Sequence, residues 1–546
     1  MRYQYTGAVP YALIDKARES FEAYRSDKEP LMARIRDNER FYKKSYSHIT
    51  HNLEKVMTCD TPLIFSAIEN ARADAIDNYP SVTILEREPD GTRAAELLTK
   101  IIPAQLEISE FKRAYKENIR SKLKYGTAVY GVFFDKVTGN IDIKGIDIAD
   151  VYVDMNVSDV QDSPFVFIAA AVENDTLRER YPMFRDLFEG DCEAETADGT
   201  RELRDRSRVI DCYYKKADGA VHLMKLCRDT VIAATEDMDG YDRGLYDHEL
   251  YPVVFDVLYP AENSPFGFGM LDIGKATQTA IDKLDRAITE NIMCGAKPRY
   301  LAKRNGGIDE AEFRDMSKNI VHYEGETDAI VAVGSTPLAD TALSHRERKK
   351  DELKELLANR DFQQGSTYGG VTAASAIQTL RQTGEKRTRA IISDTYDAYK
   401  RIIYMVIELM RQFYSEKRTY RVTDELGQKR FVSLDSSMMF RQKWGDSGVR
   451  LSRIMFDIDV VPQHEDPTSR ETANGTIMTF YNSGMLAPEN AAMAVTALKN
   501  MQFDGKEQLI ADIEKLRQGE GNASFGGLSD SAAELPEAQD PQKGAG

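Results

Sequence analysis

Apolar positions along the middle of the chain recur every three or four residues, the spacing that puts side chains on one face of a helix. Ile273, Thr277, Ile281, Leu284, Ile288 and Ile292 predict a first helix over 270–293. A second, over 342–362, carries the charged run Arg346-Glu347-Arg348-Lys349-Lys350-Asp351-Glu352 and has only Leu353, Leu356 and Leu357 as an apolar patch. After the glycine-rich stretch 363–372 the stripe resumes at Ile377, Leu380, Ile391, Tyr399, Ile402, Val406, Leu409 and Phe413, which predicts a helix over 373–414. At 1.5 Å per residue that helix would be about 63 Å long, more than one small globular domain requires. It reads as a strut.

Before this stretch the pattern changes period once. Residues 11–46 are helical in spacing, with a break expected at Pro30. A helix over 62–78 has Pro62 at its start and Thr61 as its cap. A short extended piece, 79–84, and helices over 93–108 and 110–125 follow. From Gly126 the apolar residues alternate with polar ones, the mark of strands. Strands are expected at 128–135, 140–148, 165–172, 207–215, 221–226 and 252–259, with a hairpin turn at Ala217-Asp218-Gly219-Ala220. Between them 174–188 reads as a helix and the acidic segment 189–200 as an exposed loop. Beyond residue 414 strands return at 419–422, 430–434 and 453–461, then short helices at 470–484, 489–501 and 506–518. From Gly519 the composition of Gly, Ala, Ser, Glu and Pro predicts a disordered tail, 519–546. The fold class is α+β.

Composition narrows the function. A length of 546 residues allows three or four domains. The net charge of −17 opposes a sequence-reading nucleic-acid binder, which carries a basic excess, but suits a protein that lets nucleic acid pass without gripping it. No apolar segment follows Met1-Arg2, and the longest apolar runs, 165–172 and 402–407, fall short of a membrane span. Five scattered cysteines without a Cys-x-x-Cys pair point to reduced thiols and assembly inside a cell.

Motifs for chemistry are incomplete. Gly269-Met-Leu-Asp-Ile-Gly274-Lys275-Ala276 matches the phosphate-binding loop at all but its last position, where alanine replaces the Mg²⁺-coordinating hydroxyl. Two prolines, Pro260 and Pro265, separate it from the preceding strand, so it reads as the start of an amphipathic helix. Asp457 and Asp459 sit two apart on an alternating strand and face water, while Ile458 and Val460 face the core. Asp154-x-Asn156-x-Ser158 lacks the glycine and the acidic last ligand of a calcium loop. His48 and His51 stand alone, and no Gly-x-Ser-x-Gly is present. No metal and no cofactor are expected. Gly365, Gly369 and Gly370 suit either a plain helix–helix connector or a mobile loop touching phosphates. The following residues 373–401 hold Arg381, Lys386, Arg387, Arg389, Lys400 and Arg401 against Glu385, Asp394 and Asp397, a local excess of positive charge.

The order of these parts resembles the portal (head–tail connector) proteins of tailed double-stranded DNA bacteriophages. The resemblance rests on Asp74-Ala-Ile-Asp-Asn-Tyr79-Pro80, Lys124-Tyr125-Gly126-Thr127-Ala128-Val129, Ile146-Asp147-Ile148 and Val151-Tyr152-Val153-Asp154. It continues in Ser264-Pro265-Phe266-Gly267-Phe268-Gly269, followed by Gln278, Asp282, Lys283 and Asn291, and in Gly369-Gly370-Val371-Thr372-Ala373-Ala374-Ser375-Ala376-Ile377. It covers roughly residues 15–518.

The resemblance implies a mixed α/β wing (1–263 and 415–461), stem helices (264–295 and 340–362), a small α/β clip (296–339) and a tunnel loop (363–372). The long helix 373–414 would cross beneath a helical crown, 462–518. It further implies a ring of twelve copies without catalytic activity, set at one vertex of the virion capsid. DNA would line up against Gln363, Gln364, Ser366, Thr367, Tyr368, Arg381, Lys386 and Arg387. Lys297, Arg299, Lys303, Arg304 and Arg314 would meet the clip's partners, terminase and then the head–tail adaptor. Capsid and scaffolding protein would be further partners, and no membrane is involved. The rival readings are a nucleotide-dependent enzyme using 269–276 and a helical adaptor with no DNA role.

Overall fold

The computed structural model describes residues 9–50, 62–196, 199–241, 243–296, 299–302, 330–333, 340–357, 386–423, 429–445 and 448–462, with a few single residues besides. The elements below are numbered among these. The first helix, α1 (Tyr11–Thr50), runs unbroken through Pro30, so the expected break is corrected. Pro30 and Ser26, whose carbonyl loses its partner, both occupy exposed positions, and water can satisfy the orphaned oxygen. On the opposite face Lys28, Leu31, Met32 and Ile35 are buried. Lys28 Nζ donates to the carbonyl oxygens of Ile148 (2.5 Å), Ala149 (2.8 Å) and Val151 (2.8 Å). Contacts on both sides of the proline thus hold one helix.

Next comes α2 (Leu63–Asp77), with Pro62 at the N-cap and not within the first turn. Its carbonyl accepts from the Ser66 N–H at 3.2 Å, and Thr61, the expected cap, lies outside the described residues. β1 (Pro80–Glu86), α3 (Thr92–Ile108) and α4 (Phe111–Tyr125) follow. Gly126 closes α4 with φ +91°, its N–H on the Lys122 carbonyl at 2.8 Å.

The strands β2 (Thr127–Asp135), β3 (Asn140–Ile146) and β5 (Phe165–Glu173) arrive as the alternation predicts, and a short strand that was not expected, β4 (Val151–Val153), lies between β3 and β5 in the chain. The helix expected over 174–188 is split into α5 (Asn174–Arg180) and a 3₁₀ segment, Pro182–Leu187, because Tyr181 takes a non-helical conformation ahead of Pro182. The loop expected over 189–200 is instead part of a hairpin, β6 (Cys192–Thr196) with β7 (Gly199–Leu203). Its alternation was masked by two acidic side chains, the exposed Glu193 and Glu195, which is paired with Arg36 at 2.9 Å.

β8 (Arg206–Lys215), β9 (Val221–Cys227), β10 (Thr230–Ala234), β11 (Val253–Val257), β12 (Tyr259–Pro260) and β13 (Gly267–Phe268) complete this region. The turn between β8 and β9 is the one the sequence signals: the Gly219 N–H bonds to the Lys216 carbonyl at 3.0 Å with φ +88° at Gly219. Then come α6 (Met270–Ala296), β14 (Arg299–Ala302), β15 (Ile330–Val333), α7 (Asp340–Leu356) and α8 (Lys386–Phe413). Of the long helix expected over 373–414, residues 373–385 lie outside the described residues. The chain returns through β16 (Arg418–Thr423), β17 (Lys429–Leu434), β18 (Phe440–Gly445), β19 (Gly448–Arg453) and β20 (Phe456–Pro462). The hairpin β18–β19 was not expected. The helices expected at 470–518 and the tail lie outside the described residues, apart from Thr479, Val495 and Ile510.

All pairings are antiparallel. A five-stranded sheet has the order β10-β9-β8-β5-β4, and a three-stranded sheet the order β11-β2-β3. β1 pairs with β20, Pro80 opposite Pro462 through Glu86 opposite Phe456, so two strands more than 350 residues apart in the chain share one ribbon. The largest hydrophobic cluster joins α2, α3, α4, β2 and β3 to the C-terminal part of α8 and the start of α6. A second forms where α1 lays Ala17, Phe21 and Tyr24 on Tyr152, Phe165 and Phe167 of the five-stranded sheet.

Candidate functional site

The long helix α8 is two different helices end to end. From Ala398 to Met410 it is buried on nearly every side: Ile402, Ile403, Met405, Val406, Ile407, Leu409 and Met410 are at most 2% exposed. A helix apolar all round belongs inside a core. Just before that, Ser393, Asp394 and Asp397 are exposed while Thr395 between them is buried.

Polar contacts fix this part of the helix. Lys122 Nζ on α4 lies 2.5 Å from Asp256 Oδ1 on β11 and donates to Thr395 Oγ1 on α8 at 2.8 Å. Both charged side chains are fully buried. Burial pushes the Asp256 carboxyl up from the ordinary carboxylate range, against the downward pull of Lys122 and Thr395. One residue on, the Tyr396 hydroxyl donates to the Asn78 carbonyl at 3.0 Å. Arg401 forks onto both carboxylate oxygens of Asp159, at 3.0 and 2.9 Å. At the other end Arg411 Nη1 bonds Glu408 at 2.5 Å and Nη2 the Ile454 carbonyl at 2.7 Å. Phe413 stacks on Phe134, centroids 4.1 Å apart. The helix is thus tied to α2, α4, β2, β11, the 159–162 turn and Ile454 ahead of β20.

The pair α6 and α7 is the other rod-like feature. Gly274 lets α7 approach α6: a Cβ there would lie 3.3 Å from both Leu353 and Leu357. Arg346 of α7 forks onto Asp285 of α6, with Nη2 to Oδ2 at 3.1 Å, and Asp285 is buried. The charged run of α7 is otherwise turned outward and paired along the helix, Lys349 to Glu352 at 2.7 Å among others. Toward its C-terminal end α6 loses its cover, leaving Ile292 60% exposed.

The degenerate phosphate loop is not a loop. Helix α6 begins at Met270, and Asp272 caps it by accepting the Gly269 N–H at 2.9 Å. Lys275 points to Asp37 of α1 and lies 5.6 Å from the centroid of the Phe41 ring. The Gly269 N–H and the Lys275 ammonium, two groups that a phosphate loop would aim at its ligand, are thus both engaged within the protein. Asp457 pairs with Arg87, and Asp154 accepts the backbone N–H of Asn156 at 2.9 Å. Among the described residues no group of three or more His, Cys, Asp or Glu could hold a metal ion, and no helix is long and apolar enough to cross a membrane.

Of the residues expected to line DNA, Lys386 and Arg387 begin α8. Gln363, Gln364, Ser366, Thr367, Tyr368 and Arg381 lie outside the described residues. Of the clip set, Arg299 lies on β14, while Lys297, Lys303, Arg304 and Arg314 lie outside. The node at Lys122, Asp256 and Thr395 was missed. Its one sequence signal is an aspartate inside the apolar run 252–259, a placement that demands a buried partner.

Residues 297–545, a little under half of the chain, match the model of the family described as phage P22-like portal protein. The match supports a phage portal protein, in agreement with the resemblance drawn from the order of the sequence elements. No curated protein matches the chain.

Proposed function

From the match of residues 297–545 to P22-like portal proteins, we propose that this chain is the subunit of a phage portal. Twelve copies form a ring at one capsid vertex of the virion, and double-stranded DNA passes through its centre during packaging and ejection. Residues 264–295 and 340–362 form the stem, 296–339 the clip, 363–372 the tunnel loop and 462–518 the crown, on a wing made of 1–263 with 415–461. The clip docks terminase and later the head–tail adaptor, and capsid and scaffolding protein meet the wing. The subunit itself carries out no catalysis.

Two observations beside the match support this reading. The described lower stem and clip leave apolar side chains uncovered: Ile292 at 60%, Leu301 at 66%, Val331 at 51% and Leu343 at 45% exposure. Leu301 and Val331 are opposite each other on the two-stranded ribbon β14–β15, which is too small to be stable alone. A neighbouring copy in a ring would cover both. The net charge of −17 keeps phosphate from adhering, since strong basic contacts would hold DNA by counterion release.

Native mass spectrometry tests the ring. Twelve subunits of 61.6 kDa give about 740 kDa, and a preparation of monomers and dimers alone would overturn the proposal. Shortening 365–370 is expected to leave ring assembly intact and to block DNA packaging or retention; normal packaging by that variant removes the tunnel-loop role.

A further inference from the structure

The three-stranded sheet holds two buried polar atoms that the protein leaves unmatched. Val254 of β11 stands opposite Tyr130 of β2, and Asp256 opposite Ala128. Alternate residues of a strand share a face, so Tyr130 and Asp256 are diagonal neighbours on the same side of the sheet. Each is 1% exposed. Asp256 Oδ1 meets Lys122 Nζ at 2.5 Å, but among the described residues neither Asp256 Oδ2 nor the Tyr130 hydroxyl has a hydrogen-bond partner. Helices α4 and α8 close over this face. The Phe111 ring of α4 lies 5.9 Å from that of Tyr130 and 5.5 Å from that of Tyr399 on α8. Asn118 lies beside the phenol, with its Nδ2 on the Val129 carbonyl at 3.0 Å. The Tyr115 hydroxyl is given to the Ala75 carbonyl, also at 3.0 Å.

Buried polar groups in native proteins are nearly always satisfied, by protein or by ordered water. The phenol has a proton to give, because burial and the nearby Asp256 carboxylate hold its pKa well above the usual range. The carboxylate beside the Lys122 ammonium only accepts. The two side chains make no direct bond, and diagonal neighbours stand about 7–8 Å apart at their origins on the sheet. Whatever joins them must accept from the phenol and donate to the carboxylate. It must also fit a closed interior without adding charge. A cation would face the Lys122 ammonium, and an anion the Asp256 carboxylate. A water molecule meets every condition.

We propose that one internal water molecule bridges the Tyr130 hydroxyl and Asp256 Oδ2, accepting from the phenol and donating to the carboxylate. It joins β2 to the cluster of Lys122, Asp256 and Thr395, so that two strands, α4 and α8 share one polar network. The proposal does not depend on the ring or on the DNA channel.

The test is a density map of the full-length protein at a resolution that shows ordered water. One peak is expected within about 3.2 Å of both Tyr130 Oη and Asp256 Oδ2. In Tyr130→Phe, which keeps the aromatic ring and removes the hydroxyl, that peak should be lost. Absence of the peak in the parent overturns the proposal. So does a phenol bonded directly to Asp256 or Asn118, or a peak that Tyr130→Phe leaves unchanged. Should Tyr130→Phe fail to fold, the parent map alone decides, because it shows either the bridging peak or one of the arrangements that exclude it.

Discussion

Replacing Lys122 by methionine keeps the length of the side chain and removes its charge, and it should cost far more than an ordinary substitution. Lys122 and Asp256 are both fully buried, 2.5 Å apart, and Thr395 supplies the further hydroxyl. Removing one partner of such a pair leaves an uncompensated charge in the core, with a cost of about 3–5 kcal/mol. At about 1.36 kcal/mol per factor of ten, that is roughly two to three and a half orders of magnitude in the local opening equilibrium. Hydrogen exchange read by mass spectrometry over α4, β11 and α8 measures it directly, since these are the elements the node joins. Adding Asp256→Asn to Lys122→Met removes the stranded charge and should recover at least half of the loss.

The pH dependence has a definite sign. The Asp256 carboxyl is raised above its unfolded value of 3.8. Its contribution is therefore present below that value and is lost as pH rises through the folded pKa. Without Lys122 the folded pKa rises further, so the deficit of Lys122→Met should be smallest near about pH 4 and largest at neutral pH. Exchange at neutral pH within threefold of the parent, or no recovery in the double variant, would refute the reasoning.

Three further substitutions probe the backbone and the excluded chemistry. Gly126→Ala places a Cβ 2.3 Å from the Phe268 carbonyl carbon at φ +91°, whereas Gly190→Ala meets nothing within 4 Å at φ +81°. The second should therefore show only the left-handed penalty of about 1–2 kcal/mol, and the first a much larger fall in thermal midpoint or loss of soluble chain. Lys275→Ala breaks an ion pair whose Asp37 carboxylate is largely exposed and should cost at most about 1 kcal/mol. Parent and variant alike should show no ATP hydrolysis above buffer in a phosphate-release assay.

Helix spacing and strand alternation were legible in the sequence because they depend on neighbours three, four or two residues away. Ile402, Val406 and Leu409 marked the core face of α8, and Asn140–Ile146 alternated as a half-buried strand should. Errors arose where distant contacts overrode a local rule. Pro30 is an expected break until Lys28 is seen bonded to three carbonyls over a hundred residues away. The acidic Cys192–Thr196 reads as a loop until β7 pairs with it. Phe440–Gly445 and Gly448–Arg453 hide their strands among Arg, Lys and Gly. The node was illegible for the same reason, as its three members stand on elements separated by more than a hundred residues. For the channel and clip residues, sequence order located Lys386, Arg387 and Arg299 on elements, and the others lie outside the described residues.

The position of the node along α8 gives it a mechanical meaning. Residues 386–394 extend from the anchored part by about 13 Å at 1.5 Å per residue. An α-helix is stiff over that distance, so a sideways load on its first turn is transmitted to Thr395 and Tyr396, which hold described polar anchors. There the resisting groups are a buried ammonium, a carboxylate and the Asn78 carbonyl, not exchangeable apolar surface. Hydrogen bonds and charges in a dry interior have few alternative geometries, so they fix the position of the side chains that make them. Arg401 on Asp159 and Arg411 on the Ile454 carbonyl fix the later turns of the helix, and Lys122 adds a fixed point at Thr395, nearer its first residues. Under the portal reading, the residues before Lys386 approach the DNA, and α8 carries their displacement to α4 and β11 in the wing. Lys122→Met should then uncouple the two ends of the helix, loosening the wing side while leaving the charge pattern toward the channel untouched.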